Sequence, residues 1–194
     1  YSQQDKIQIY LARIYNKRGD YKKALSTLDK IVSGELFVDA KLLATEIIAQ
    51  NESTDKAIES LSIYKNIGPS DKLRFLQAKT SLLINKGRQQ DAFDLMRSED
   101  KNYADSAAFK FDYAMLAEKM DNLLLMEQLL KEAIKIKPDF ALAYNALGYS
   151  YADRNIKLAD AKKYIEIALS IQPQNHYIMD SMGWLHYRLG NLIL

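Results

Sequence analysis

Apolar residues return along this chain every three or four positions, in stretches divided by short polar breaks. That period is the mark of amphipathic α-helices, not strands. The stretches fall into pairs: Lys6–Lys17 with Tyr21–Val32, Asp39–Ala49 with Asp55–Asn66, Lys72–Lys86 with Gln89–Arg97, Ser106–Lys119 with Leu123–Ile136, and Phe140–Asp153 with Leu158–Ile171. A last stretch, His176–Leu189, stands alone, and Gly190-Asn191-Leu192-Ile193-Leu194 reads as a turn and the start of another helix. The breaks carry end-of-helix chemistry. Gly19 suits a helix C-terminus and Asp20 the next N-cap. In Gly68-Pro69-Ser70-Asp71 the proline disfavours helix for the residue before it, so this break closes the second pair.

The pairs recur on a lattice. Pro69, Pro138 and Pro173 are 69 and 35 residues apart, and Ala24, Ala57, Ala92, Met126 and Ala161 follow one another at 33, 35, 34 and 35. A two-helix unit of this length cannot bury its apolar face alone, so successive units must stack. The expected fold is all-α: a right-handed α-solenoid of stacked helical hairpins, about five repeats plus one unpaired helix. The expected organisation is a single array over 1–194, with repeats at 5–37, 38–71, 72–106, 107–140 and 141–175 and a partial one at 176–194.

Composition removes other classes. With 48% hydrophobic and 27% charged residues the chain is neither disordered nor fibrous. Net charge is +2 and like charges run no longer than Lys22-Lys23 or Lys162-Lys163, so nucleic acid is a poor partner. There is no cysteine, hence no disulfide or thiolate metal site, and no apolar run approaches a bilayer span. His176 and His186, the two histidines, lie about 15 Å apart along one predicted helix and cannot share a metal within one chain. With no glycine-rich phosphate loop either, no catalytic residue, metal or cofactor is expected, and the chain does not read as an enzyme.

The segment Pro138-Asp139-Phe140-Ala141-Leu142-Ala143-Tyr144-Asn145-Ala146-Leu147-Gly148-Tyr149-Ser150-Tyr151, followed by Ala161, Ala168 and Pro173, resembles the tetratricopeptide repeat. The resemblance implies a small residue where the paired helices come closest. Ala12, Ala114, Gly148 and Gly183 meet that need; Thr45 and Lys79 depart from it, through looser packing or a register one residue off. A narrower likeness joins Leu147-Gly148-Tyr149-Ser150-Tyr151-Ala152-Asp153-Arg154 to Asp180-Ser181-Met182-Gly183-Trp184-Leu185-His186-Tyr187-Arg188-Leu189-Gly190-Asn191. This pair resembles proteobacterial repeat proteins exported as lipoproteins, some of them adaptors of carboxyl-terminal-processing proteases. It implies a periplasmic protein, anchored to the outer membrane by an N-terminal lipid absent from this sequence. A cytoplasmic location is the alternative.

The resemblance also implies a concave surface lined by first helices. With repeats starting at Asp5, Val38, Lys72, Ala107, Ala141 and His176, the inward positions grade from basic and polar (Lys6, Ile9, Arg13, Asn16, Lys17) through apolar (Leu42, Leu73, Leu76, Leu83, Phe111, Met115) to aromatic and mixed in charge (Asn145, Tyr149, Asp153, Tyr177, Asp180, Trp184, Tyr187, Arg188). Leucines at helical spacing are more often core than ligand surface. The expected partner-binding residues are Arg13, Phe111, Met115, Asn145, Tyr149, Asp153, Asp180, Trp184 and Arg188, with Trp184 and Tyr149 foremost, since tryptophan and tyrosine are enriched at binding hot spots. A clamp for a terminal carboxylate, as in chaperone-binding members of the family, needs Lys, Asn and Arg at the fifth and ninth positions of successive first helices. Only Arg13 fits, so acidic chaperone tails are not the expected ligand. The expected function is a scaffold or adaptor binding a protein or peptide, an envelope protease among the candidates. The alternative is self-assembly, as a homodimer, through the unpaired terminal helix.

Overall fold

A computed structural model describes residues 3–191; the helix start expected at Leu192-Ile193-Leu194 lies outside the described residues. Among those described there are eleven α-helices and no strand: α1 (Gln3–Lys17), α2 (Tyr21–Leu28), α3 (Phe37–Asn51), α4 (Thr54–Ser62), α5 (Pro69–Asn85), α6 (Gln89–Glu99), α7 (Ala107–Lys119), α8 (Leu123–Ile136), α9 (Ala141–Asp153), α10 (Leu158–Ile171) and α11 (His176–Arg188). The chain forms two compact units, Tyr1–Ala92 and Phe93–Leu194.

In the first unit α1 packs on α2, α2 on α3, α3 on α4 and α4 on α5. Ala12, Ala24, Leu28, Ile31, Ala40 and Ile47 form one core cluster, and Val38, Leu61 and Phe75 a second. Asp20 and Ser53 cap α2 and α4, their side chains accepting the backbone N–H of Lys23 and Lys56 at 3.2 Å. Both second helices end four residues earlier than the sequence pattern suggests, at Leu28 and Ser62. The reason at α2 is visible in the core. A turn donated by the Ile31 N–H to the Leu28 carbonyl swings the Ile31 side chain inward, whereas Val32, which a continued helix would have carried along, is 76% exposed.

In the second unit α7–α8 and α9–α10 are antiparallel hairpins, α8 rests on α9, and α11 lies against both α9 and α10. Ser106, Asn122 and Asn175 supply side-chain caps to α7, α8 and α11. Met126 and Ala161, like Ala24, Ala57 and Ala92 in the first unit, are all buried, as the small-residue lattice requires.

First helices end in a repeating way. Gly19, Gly87, Asp121, Asn155 and Gly190 all have φ between +54 and +83, a left-handed stop at which glycine is unstrained and Asp or Asn tolerated. Their spacings of 68, 34, 34 and 35 carry the period through the backbone itself. Side chains repeat it within each unit: Asn16 to Gln50, Arg74 to Asp39, Arg88 to Asp55 and Arg154 to Glu118 join residues 33 to 36 apart.

The third repeat must be re-registered. Its buried residues on α5 are Phe75, Leu76, Thr80 and Leu83, which match the burial on α3 and α7 only if the repeat begins at Leu73, not Lys72. Gly87 then becomes the fifteenth residue, like Asp121 and Asn155 in theirs. Thr80, not Lys79, occupies the close-approach position, while Thr45 holds it in the second repeat, buried and with its hydroxyl 3.1 Å from that of Ser60 on α4. The prolines explain the slip. Pro138 and Pro173 precede their helices, but Pro69 is the first residue of α5, where its missing N–H costs nothing. The break at Gly68-Pro69 therefore opens a helix rather than lying between two. In consequence Leu76 and Leu83, expected in the groove, belong to the core.

One electrostatic tie in the second unit gives a pH test. Glu127 on α8 accepts from Lys131 at 2.6 Å and from Lys157, just before α10, at 3.1 Å. The Lys131 hydrogen bond, against the opposing effect of burial and helped by Tyr151 and Lys157, holds its carboxyl down at about 2. A depressed carboxyl stabilises the fold fully above its ordinary value of 4.5, and the contribution fades as pH falls toward 2. Glu127→Gln is thus expected to be less stable than wild type at pH 7, with the two denaturation midpoints converging as pH falls through that window. A gap unchanged at pH 2.5 would rule the tie out as a source of stability.

Candidate functional site

First helices of the second unit present residues three and four apart on one face, which is how a helix builds a stripe. From α7 come Phe111, Met115 and Glu118; from α9, Leu142, Asn145, Ala146 and Tyr149; from α11, Tyr177, Asp180, Ser181 and Trp184. Together they line an open concavity of about 510 Å³. Of the nine residues expected at a partner site, six meet here: Phe111, Met115, Asn145, Tyr149, Asp180 and Trp184.

The floor is aromatic and firmly held. Phe111 packs on Phe140 with ring centroids 5.2 Å apart, and Trp184 stacks on Tyr187 at the same distance. Arg188 does not offer its charge to the cavity. Its guanidinium lies 5.1 Å over the Trp184 ring, donates from Nε to the Ala152 carbonyl at 3.1 Å, and donates from Nη2 to the Asp153 carbonyl. Those carbonyls lie at the C-terminal end of α9, where the helix dipole favours a cation, and the guanidinium locks the tryptophan from behind. Asp153 itself is exposed beyond the lining, its backbone occupied by this contact.

The polar atoms of the cavity are unevenly matched. Arg154 answers Glu118 at 3.3 Å, and the Ser181 hydroxyl donates to the Tyr177 carbonyl at 2.9 Å. Two buried atoms have no partner, Oδ1 of Asn145 and Nε1 of Trp184. Tyr149 is 43% exposed and Tyr177 79%, large apolar surfaces left to solvent at the rim.

Arg13 belongs to the first unit. It lines a different concavity, of about 450 Å³, with Lys6, Ile9, Tyr10, Leu36, Asp39, Leu42, Leu43 and Glu46. Arg74, second in the corrected third repeat, pairs with Asp39, second in its own repeat, at 2.5 Å. Tyr177, read from the sequence as an inward position but not among the nine, also lines the cavity. Sequence reasoning left out Leu142 at a second position, Glu118 at a twelfth, and Ala146 and Ser181 at sixth positions. The same repeat numbering would have found the first two; the sixth positions become visible only once the helices are placed.

Hairpins at a period of 34 to 35, with left-handed residues closing α1, α5, α7, α9 and α11 and the first helices of the second unit turned toward one cavity, define a tetratricopeptide-repeat fold. The chain has that fold. It is 30% identical over 188 residues to a TPR repeat-containing protein of Pseudomonas aeruginosa, a match that covers 97% of this chain and 32% of the relative. The chain thus spans about a third of the length of the curated relative it matches. Among solved structures, a tetratricopeptide repeat protein from Parabacteroides merdae superposes with a TM-score of 0.65 at 14% identity, over 98% of this chain and 75% of that one. YrrB, described as a TPR protein with an unusual peptide-binding site, superposes with a TM-score of 0.59 at 15% identity, over 91% and 90% of the two chains. No protein-family model matches the chain.

Proposed function

We propose that this chain is a non-catalytic scaffold that holds a peptide segment of a partner protein in the α7–α9–α11 concavity. The observation that carries the reading is a preformed, aromatic-floored cleft whose Trp184 and Asn145 keep buried polar atoms unsatisfied. Ligand sites are mostly apolar concavities with a few placed polar groups, and this one has that make-up. YrrB, a fold neighbour, has a peptide-binding site, which supports the same use of the fold here. Arg13 and its concavity in the first unit are proposed as a separate partner contact, through charge.

We further propose that the whole protein works in the bacterial envelope, anchored by an N-terminal lipid, and recruits a protease. The likeness of the α9–α11 segment to exported repeat lipoproteins supports this, as does the Pseudomonas aeruginosa relative. The rival reading, self-association, draws on α11, where Met179 is 50% and Tyr187 56% exposed.

Truncating the tryptophan separates them. Trp184→Ala is expected to weaken partner binding by about 2 kcal/mol, roughly thirtyfold, as hot-spot truncations do. Affinity capture from an envelope extract, wild type against Trp184→Ala, followed by titration of the captured protein, measures it. An undiminished affinity would move the site away from this cavity, and a sedimentation profile showing a dimer at micromolar concentration would favour self-association.

A further inference from the structure

We infer that the α7–α9–α11 cavity selects an extended segment in which a large apolar side chain stands two positions from a lysine or arginine, on the same face of the strand, its main chain meeting Asn145 and Trp184. This rests on the peptide-groove reading above and adds the chemistry of the ligand.

Three observations converge on it. The first is the pair of orphaned polar atoms. A buried group left without a hydrogen bond carries its full desolvation cost, and folded proteins rarely keep two in one place. Trp184 Nε1 can only donate, and the Asn145 amide has a buried acceptor left over. A carboxylate would satisfy the indole and leave the asparagine unmet. An ammonium would do the reverse, and a hydrocarbon chain would satisfy neither. A peptide main chain carries both partners, C=O for the indole N–H and N–H for the amide oxygen.

The second observation is the apolar floor. Phe111, Met115 and Leu142 offer a slot with no polar atom in their side chains apart from the thioether sulfur, so a large apolar side chain of the ligand gains burial there.

Charge is the third. The ionisable residues lining the cavity with a net charge at neutral pH are Glu118 and Asp180, both acidic, and no lysine or arginine lines it. Glu118 is answered by Arg154, whereas Asp180 has no ion-pair partner among the described residues. Arg188, the nearby cation, is spent on the end of α9. An acidic rim over an apolar floor repels acidic segments and favours basic ones.

The test uses the 194-residue chain and its single tryptophan as reporter. Capped Gly/Ser decamers carrying Phe-Ser-Lys, Phe-Ser-Glu or Ala-Ser-Lys at the centre are titrated while Trp184 emission is followed. The Phe/Lys peptide is expected to shift the emission and bind about tenfold tighter than its Glu twin and its Ala twin. Asp180→Asn should reduce the Lys-over-Glu preference to about threefold or less while the Phe-over-Ala preference persists. N-methylation of the peptide bonds flanking Phe should weaken binding with the protein left untouched, so the hydrogen-bond claim does not hang on whether an Asn145 variant folds. A Glu twin that binds as well as the Lys one, or an N-methylated peptide that binds normally, would overturn the assignment and leave the groove reading standing. Silence of Trp184 toward every decamer, including a mixed-sequence pool, would overturn both. Emission that changes with protein concentration, together with a dimer in sedimentation and no peptide effect, would overturn the assignment in favour of a second copy of this chain.

Discussion

A Gly148→Leu variant is expected to lose 3 kcal/mol or more of stability, roughly 10 °C in the melting temperature of the second unit, because at this position α9 rides directly on α10. A Cβ built on Gly148 would lie 2.7 Å from Cγ1 of Ile165, 2.9 Å from the Ala161 carbonyl oxygen and 3.2 Å from the Ile165 nitrogen. The isoleucine tip can turn aside. The two backbone atoms cannot, so any side chain must push the helices apart. Ile165 is wholly buried and Ala161 equally so, which leaves no slack to absorb the shift. Even Gly148→Ala should lose up to about 2 kcal/mol, since overpacking of about 1–3 kcal/mol outweighs the gain of nearly 1 kcal/mol that alanine has over glycine inside a helix. Gly183 is the internal control. It holds the equivalent place on α11, where an added Cβ meets nothing within 4 Å among the described residues. Gly183→Ala should therefore stabilise by about 0.5–1 kcal/mol. Thermal or urea denaturation of the two alanine variants decides the matter, and equal signs at both positions would refute the close-approach account.

How much of this was legible beforehand differs by level. The helix pattern and the period were fully so: α8 and α10 have the bounds that hydrophobic spacing gives, and the small-residue lattice through Ala24, Ala57, Ala92, Met126 and Ala161 is buried throughout. Gly148 could be picked out as a contact glycine because the resemblance places a small residue there. What failed was the equation of the three prolines. A proline is tolerated both just before a helix and as its first residue, so its position fixes a helix start only to within a turn. Pro69 took the second option, and Leu76 and Leu83 moved from groove to core with it.

Within the site, residue type and repeat position were enough to bring six of nine candidates together, but not to say what each does. Arg188 was expected to meet a partner, and its guanidinium instead caps α9 and backs Trp184. Nothing in a sequence says that a cation will be consumed by a helix end from the neighbouring repeat. The same holds for buried lysines. Lys41 and Lys110 each occupy the fourth place of a repeat, where a lysine's charge alone would suggest the surface, and are buried. Their acids lie elsewhere in the chain: Asp29 is 3.6 Å from Lys41, and Asp100 and Glu132 surround Lys110.

Lys110 is the more exacting of the two, and its removal should show most. Its ammonium lies 2.7 Å from Asp100, in the turn after α6, and 2.8 Å from Glu132 on α8, so one side chain on α7 ties three segments of the second unit. Burial alone would depress its pKa, yet the hydrogen bonds to Asp100 and Glu132 outweigh that and raise it. Burial would likewise raise the Glu132 carboxyl, and Lys110 more than reverses the shift. Truncating one partner of a buried pair costs about 3–5 kcal/mol; both carboxylates keep some water contact, so Lys110→Ala should fall at the lower end, about 3 kcal/mol. Lys110→Met separates the two components, since it keeps the apolar stem and removes the charge. Its deficit should be smaller than that of Lys110→Ala and should depend on pH in a set direction. The raised lysine contributes fully below 10.5 and is lost as pH climbs past its folded pKa; the depressed Glu132 contributes above 4.5 and is lost as pH falls. The methionine variant should therefore lag wild type by a constant margin across the neutral range and close the gap at both extremes. A deficit as large as that of Lys110→Ala and flat with pH would mean that the stem's packing, not the ion triad, holds α7 in place.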